Sequence, residues 1–172
     1  MKKFAQIILL KRCFLKKLKF LRLVIALLGF GVSSVLADEV IVGGLAGPDG
    51  GGGIVVEHHF SGDFSGPAKD WPWAAAARID ADSDFWIGFG LYLDHFVSET
   101  VFIEASFMPG YYNPEDTDLG GNIHFRSLLG IGIAVTDQSS ISLSIDHLSN
   151  GGLTSNNPGS EAIALRYKYR LF

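Results

Sequence analysis

Apolar and polar or small positions alternate strictly along much of the chain, in short segments separated by turns. Over residues 85–93, Phe85, Ile87, Phe89, Leu91 and Leu93 fall on one side, opposite Trp86, Gly88, Gly90 and Tyr92. Over 101–107, Val101, Ile103, Ala105 and Phe107 oppose Phe102, Glu104 and Ser106. Over 123–135 the apolar face is Ile123, Phe125, Leu129, Ile131, Ile133 and Val135, against His124, Arg126 and two glycines. Residues 141–145 and 163–171 repeat the pattern, the second setting Ile163, Leu165, Tyr167, Tyr169 and Leu171 against Arg166, Lys168 and Arg170. A period of two puts successive side chains on opposite faces of a strand. Weaker segments fit at 39–46, 54–60 and 73–81, so the pattern predicts eight strands and no long helix.

A soluble sandwich would turn the apolar faces inward and leave the charges in water. The polar faces here combine opposite charges (Glu57, Arg78, Glu104, Arg126, Arg166) with Gly, Ala and Ser, which suits a narrow interior filled by side chains. Trp71, Trp73, Trp86, Tyr111, Tyr112, Tyr167 and Tyr169 stand near segment ends, where interfacial girdles are expected, and the chain closes on Phe172. The fold expected is therefore all-β, an eight-stranded antiparallel transmembrane barrel. With both chain ends on the periplasmic side, every odd-to-even connection, including 150–160, faces outward.

Charge divides the chain in two. Eight of its 14 basic residues and none of its 18 acidic ones precede Asp38, so the remainder carries a net charge of −12. Residues 1–22 are basic, Leu23–Val32 are apolar, and Val35 and Ala37 are small residues before a cut at Asp38. That is the pattern of a secretory signal peptide, and the apolar run is short for a membrane-spanning helix. The expected division is a signal peptide over 1–37 and a barrel over 38–172. An acidic body excludes a nucleic-acid binder that works by neutralising phosphates. Cys13, the single cysteine, lies in the leader, which leaves no disulfide framework or cysteine nucleophile after Ala37.

Three polar residues break the apolar face. His147 and Ser149 continue the outward parity of Ile141, Leu143 and Ile145, and Glu161 has the outward parity of Ile163 and Leu165. A hairpin centred on Thr154 sets Glu161 opposite His147, with Cβ atoms about 4.5–5.5 Å apart. A serine hydroxyl needs a base to take its proton, and a carboxylate orients the imidazole and stabilises its charged form. Ser149, His147 and Glu161 are thus candidates for nucleophile, general base and orienter. Asn150 and the backbone N–H groups of Gly151 and Gly152 are candidate oxyanion donors. Asp146 adjoins His147 but points inward by parity. The neighbours His58 and His59 project to opposite faces, so they cannot chelate one metal together. Gly50–Gly53 lacks the Lys-Ser/Thr of a phosphate loop and reads as an outer loop.

The run His147-Leu148-Ser149-Asn150-Gly151-Gly152-Leu153, followed by Asn157-Pro158-Gly159-Ser160-Glu161, resembles the C-terminal signature of the PagL-type lipid A 3-O-deacylases. The segments around Glu104 and Gly130 are similar to that family's middle strands. The resemblance implies an eight-stranded barrel in the outer membrane of a Gram-negative bacterium, with His147, Ser149 and Glu161 as the triad. It also implies hydrolysis of the ester-linked acyl chain at the 3-position of lipid A, without metal or cofactor, lipopolysaccharide of the outer leaflet being the partner. Residues 38–84 carry little of the signature. The alternative reading is a non-enzymatic barrel, structural or adhesive, whose outer loops bind a partner.

Overall fold

The computed structural model describes residues 38–48, 51–60 and 71–171. The expected signal peptide and Phe172 lie outside them. Eight strands form: β1 Glu39–Ala46, β2 Gly52–His59, β3 Trp73–Asp80, β4 Phe85–Phe96, β5 Val101–Asn113, β6 Ile123–Ala134, β7 Ser139–Ser149 and β8 Ser160–Arg170. Each pairs antiparallel with its sequence neighbour, and β1 pairs with β8, closing the barrel. Closure leaves no sheet edge unpaired, as a strand bundle in lipid requires.

Burial is inverted relative to a soluble domain. Leu129, Ile145 and Leu165 are 62%, 63% and 62% exposed, whereas Arg126 and Asp146 are fully buried. The apolar alternation faces outward, as the charge pattern on the other face predicts. Inside, Arg126 donates to Glu57 at 2.8 Å and to Asp146, and Arg166 bridges Glu57 at 2.8 Å and Glu104 at 2.6 Å. Arg78 reaches Asp146 at 3.4 Å. The charges expected to fill the lumen form one connected network, with Asp146 added to it.

Two expectations need correction. Trp86 and Tyr112 are not girdle residues; they are buried inside the barrel with Ala74, Ala76, Met108, Leu119 and Leu148. The Trp86 indole lies so close to Gly88 and Gly110 that a Cβ on either would come within 2.1 and 2.6 Å of it. Those glycines are the recess that lets a large ring enter a narrow lumen. β5 extends beyond the 101–107 alternation, continuing through Met108-Pro109-Gly110 to Asn113. Pro109 has no N–H to donate, and the β4–β5 ladder is interrupted there, resuming between Gly88 and Gly110 in the same register. Gly52 and Gly53, expected in a loop, begin β2.

Candidate active site

Register decides the geometry. His147 pairs with Glu161 across β7–β8, the partnership that a hairpin centred on Thr154 requires. His147 Nδ1 and Glu161 Oε1 are 3.2 Å apart. A proton on Nδ1, donated to the carboxylate, leaves Nε2 free as a base. Both side chains lie on the outside of the barrel, 43% and 64% exposed, where β7 ends and β8 begins. Ser149 lies two residues beyond His147 on the same face, half-buried and paired with Phe125 of β6. Cα atoms so placed are about 6.5–7 Å apart. Among the described residues the imidazole bonds Glu161 and not Ser149.

The connection after Ser149 is tightly built. Gly151 and Gly152 have φ of 64° and 81°, and Leu153 N–H donates to Asn150 O at 3.2 Å. Two consecutive left-handed residues make a primed turn, which glycine adopts without strain. Asn150 is fully buried and faces the interior. Its two Nδ2 hydrogens are shared among Gly120 O at 2.6 Å, Asn156 O at 2.7 Å, Thr154 Oγ1 at 2.8 Å and Leu119 O at 3.2 Å. Its Oδ1 accepts from Gly152 N–H at 2.9 Å, and its own N–H donates to Asn157 Oδ1 at 3.0 Å. The Asn150 side chain therefore ties the β5–β6 and β7–β8 connections together. Of the three expected oxyanion donors, the Gly151 N–H is the one that no described group engages.

Two neighbours escaped the sequence reading. Ser127 of β6 pairs with His147 from the side opposite Glu161, and it has the outward parity of Phe125 and Leu129. Gly159, with φ of 71°, lies beside the imidazole, and a Cβ there would be in ordinary van der Waals contact, 3.4 Å from His147 Cε1 and 3.9 Å from Ser149 Cβ. Phe125 stacks on Phe107, with ring centroids 5.7 Å apart and planes inclined by 11°, so Ser149 borders an aromatic shelf. A cavity of about 410 Å³ reaches Gly159, Ser160 and Glu161 from the mouth of the barrel.

The β5–β6 connection is held from below by Asp84, in the β3–β4 turn. Its carboxylate accepts from the N–H groups of Glu115, Asp116 and Thr117. Burial pushes this carboxyl up, but those hydrogen bonds outweigh it and hold the group below the ordinary carboxylate range. The two neighbouring histidines have different partners: His58 Nε2 meets Asp38 Oδ2 at 3.1 Å, and His59 Nε2 meets Glu57 Oε2 at 3.0 Å.

Fold and site together define a membrane-type β-barrel with an acid–base pair and a serine on its outer surface. Residues 63–170 match the family Lipid A 3-O-deacylase (PagL), and the chain belongs to that family. A relative named Lipid A deacylase PagL, from Bordetella bronchiseptica, is 30% identical over 86 residues, which span 50% of this chain and 44% of the relative. The chain thus matches less than half the length of that curated relative. Among solved structures, the outer membrane enzyme PagL aligns over 76% of this chain and 98% of its own, at 22% identity and a TM-score of 0.65. A de novo designed transmembrane β-barrel aligns over 81% of this chain and 98% of its own, at 11% identity and a TM-score of 0.58. These two likenesses are of fold.

Proposed function

We propose that the chain is a lipid A 3-O-deacylase of the outer membrane of a Gram-negative bacterium, and that it works as a serine esterase. Residues 1–37 are its export signal, and lipopolysaccharide of the outer leaflet is its substrate. The observation that carries this reading is the His147–Glu161 pair beside Ser149 on the outer face, 3.2 Å between Nδ1 and Oε1, in a chain of the deacylase family. An amphiphile lying in the leaflet presents its acyl ester to that face. A site in the lumen would not meet it.

In this mechanism Ser149 Oγ attacks the carbonyl carbon of the ester while His147 Nε2 takes the hydroxyl proton. Glu161 accepts the hydrogen bond from Nδ1–H and offsets the charge of the imidazolium. The Gly151 N–H stabilises the tetrahedral oxyanion, with Asn150 and Gly152 as the positioning residues that hold its turn. Collapse breaks the bond to the sugar 3-oxygen, which leaves with the proton from Nε2. Water then cleaves the acyl-serine by the same proton transfers in reverse order. The products are a 3-hydroxy fatty acid and a lipid A lacking that chain. The Phe107–Phe125 shelf gives the departing chain an apolar bed.

A fluorophosphonate ester tests the serine directly. It is expected to label the folded chain once, on the peptide containing Ser149, and labelling should be lost in His147→Ala. Labelling elsewhere, or none with an active preparation, rules out this nucleophile. Release of a 3-hydroxy fatty acid from purified lipid A tests the activity itself, whichever residue performs it.

A further inference from the structure

The end of the barrel opposite the triad holds a polar cluster that ester hydrolysis does not use. Glu39 at the start of β1, His59 at the end of β2 and Asp94 on β4 converge on the interior. One ligand atom from each lies within 4.8 Å of the others. Glu39 and His59 are cross-strand partners, and His59 Nδ1 is 3.9 Å from Glu39 Oε2.

His59 is 2% exposed, and its Nδ1 has no hydrogen-bond partner. Its orientation is fixed twice over. The ring stacks on Tyr92 at 3.7 Å, and Nε2 is 3.0 Å from Glu57 Oε2. Glu57 is clamped between Arg126 and Arg166, so it is the acceptor and Nε2–H the donor. That leaves the Nδ1 lone pair bare and directed toward two carboxylates. Three electron-pair donors facing one another repel unless a cation lies between them. A ligating histidine characteristically donates its other N–H to a carboxylate, which fixes the tautomer as Glu57 does here.

One cation already competes for the same oxygens. Lys168 Nζ pairs with Asp94 Oδ2 and is 3.7 Å from Glu39 Oε2. A cavity of about 420 Å³ opens beside it, lined by the acidic Glu39, Asp94, Glu99 and Asp137 against Lys168 and Arg170. The excess of negative charge draws cations inward, and Glu99 and Asp137 offer a displaced ammonium other carboxylates. One imidazole nitrogen with two carboxylates is a donor set for zinc, whose tetrahedral bonds of about 2.0–2.2 Å bring ligand atoms about 3.3–3.6 Å apart. The ligand atoms, within 4.8 Å of one another as they stand, need to close by at most about 1.5 Å.

The geometry points to a divalent-cation site of zinc type in which His59, Glu39 and Asp94 are the ligands and Lys168 is the competing cation. Titration calorimetry with zinc chloride on the untagged full chain, folded in detergent, tests it. The expected result is one zinc per barrel, at least tenfold weaker in His59→Ala and unchanged in His147→Ala. Lys168→Met should tighten binding at least tenfold, because the rival charge is gone. If His59→Ala fails to fold, Lys168→Met decides: tighter binding supports the site, and equal or weaker binding overturns it. The absence of one-to-one binding overturns it too. So does zinc that depends on His147 instead of His59, or calcium bound as tightly as zinc.

Discussion

His147 is flanked on its own face by Glu161 of β8 and Ser127 of β6, with Ser149 two residues on. These roles separate by substitution. Glu161→Gln keeps the shape but removes the charge that orients the imidazole, so kcat should fall by about 10²–10⁴-fold with little change in KM. An equal rise in KM with kcat unchanged would make Glu161 a binding residue. Asn150→Ala should act differently, since its amide is spent on the connections. It should lower stability by about 1–3 kcal/mol, as buried carbonyls lose their donor, and slow the reaction through a loosened Gly151 turn. Denaturant unfolding measured beside kcat distinguishes this from a donor acting on the oxyanion alone, which would leave the midpoint unmoved. At this scale the sequence was most legible where parity and spacing spoke together. Glu161 opposite His147 follows from counting about Thr154. Ser127 was not legible, because a single serine between Phe125 and Leu129 becomes informative only once cross-strand register joins it to His147. The bonds of Asn150 were hidden for a related reason: its side-chain partners, Leu119 and Gly120, are thirty residues away in sequence.

The connections between strands carry the site as much as the strands do. Gly159 holds a left-handed backbone conformation against the imidazole edge. Gly159→Ala should strain the backbone by about 1–2 kcal/mol and, as the turn relaxes that strain, loosen its packing against His147, lowering kcat in a barrel that still folds. Unaltered kinetics would show that the approach is incidental. Asp84 anchors the β5–β6 connection through three backbone N–H groups. Its folded-state carboxyl lies below the ordinary range, so the unfolded chain takes up the proton at higher pH. The stabilisation is therefore present above the ordinary carboxylate range and fades as pH falls through and below it. Wild type and Asp84→Asn should differ in unfolding midpoint near neutrality and converge in acid; a constant difference would contradict this. Strand positions were readable from alternation alone at all eight places. Strand ends were not. Met108-Pro109-Gly110 has the composition of a turn, yet it lies within β5 because β6 pairs with it and the β4 ladder tolerates the gap.

For the molecule as a whole, the outer face is apolar and the interior is a packed charge network, so stability depends on groups that a soluble protein would place in water. Arg126 is fully buried between Glu57 and Asp146. Arg126→Ala removes the cation that Glu57 and Asp146 share, leaving Glu57 to Arg166 and Asp146 to the longer contact with Arg78, and should cost about 3–5 kcal/mol of stability, read from the unfolding midpoint of the barrel in detergent. A shift below about 1 kcal/mol would mean that water replaces the guanidinium. Inversion of the barrel was legible from charge placement, whereas Trp86 and Tyr112 inside the lumen were not, because aromatic residues suit both an interface and a core. Gly88 and Gly110 were the signal that went unread. The proposed activity is cleavage of an ester in the leaflet outside this barrel. It is tested most directly by the mass of lipid A extracted from cells that express the chain or its Ser149→Ala variant. The wild type should shift lipid A down by the mass of one 3-hydroxyacyl chain, and the variant should leave it whole. Lipid A unshifted by folded wild-type protein would contradict the activity, and a full shift by Ser149→Ala would contradict the site.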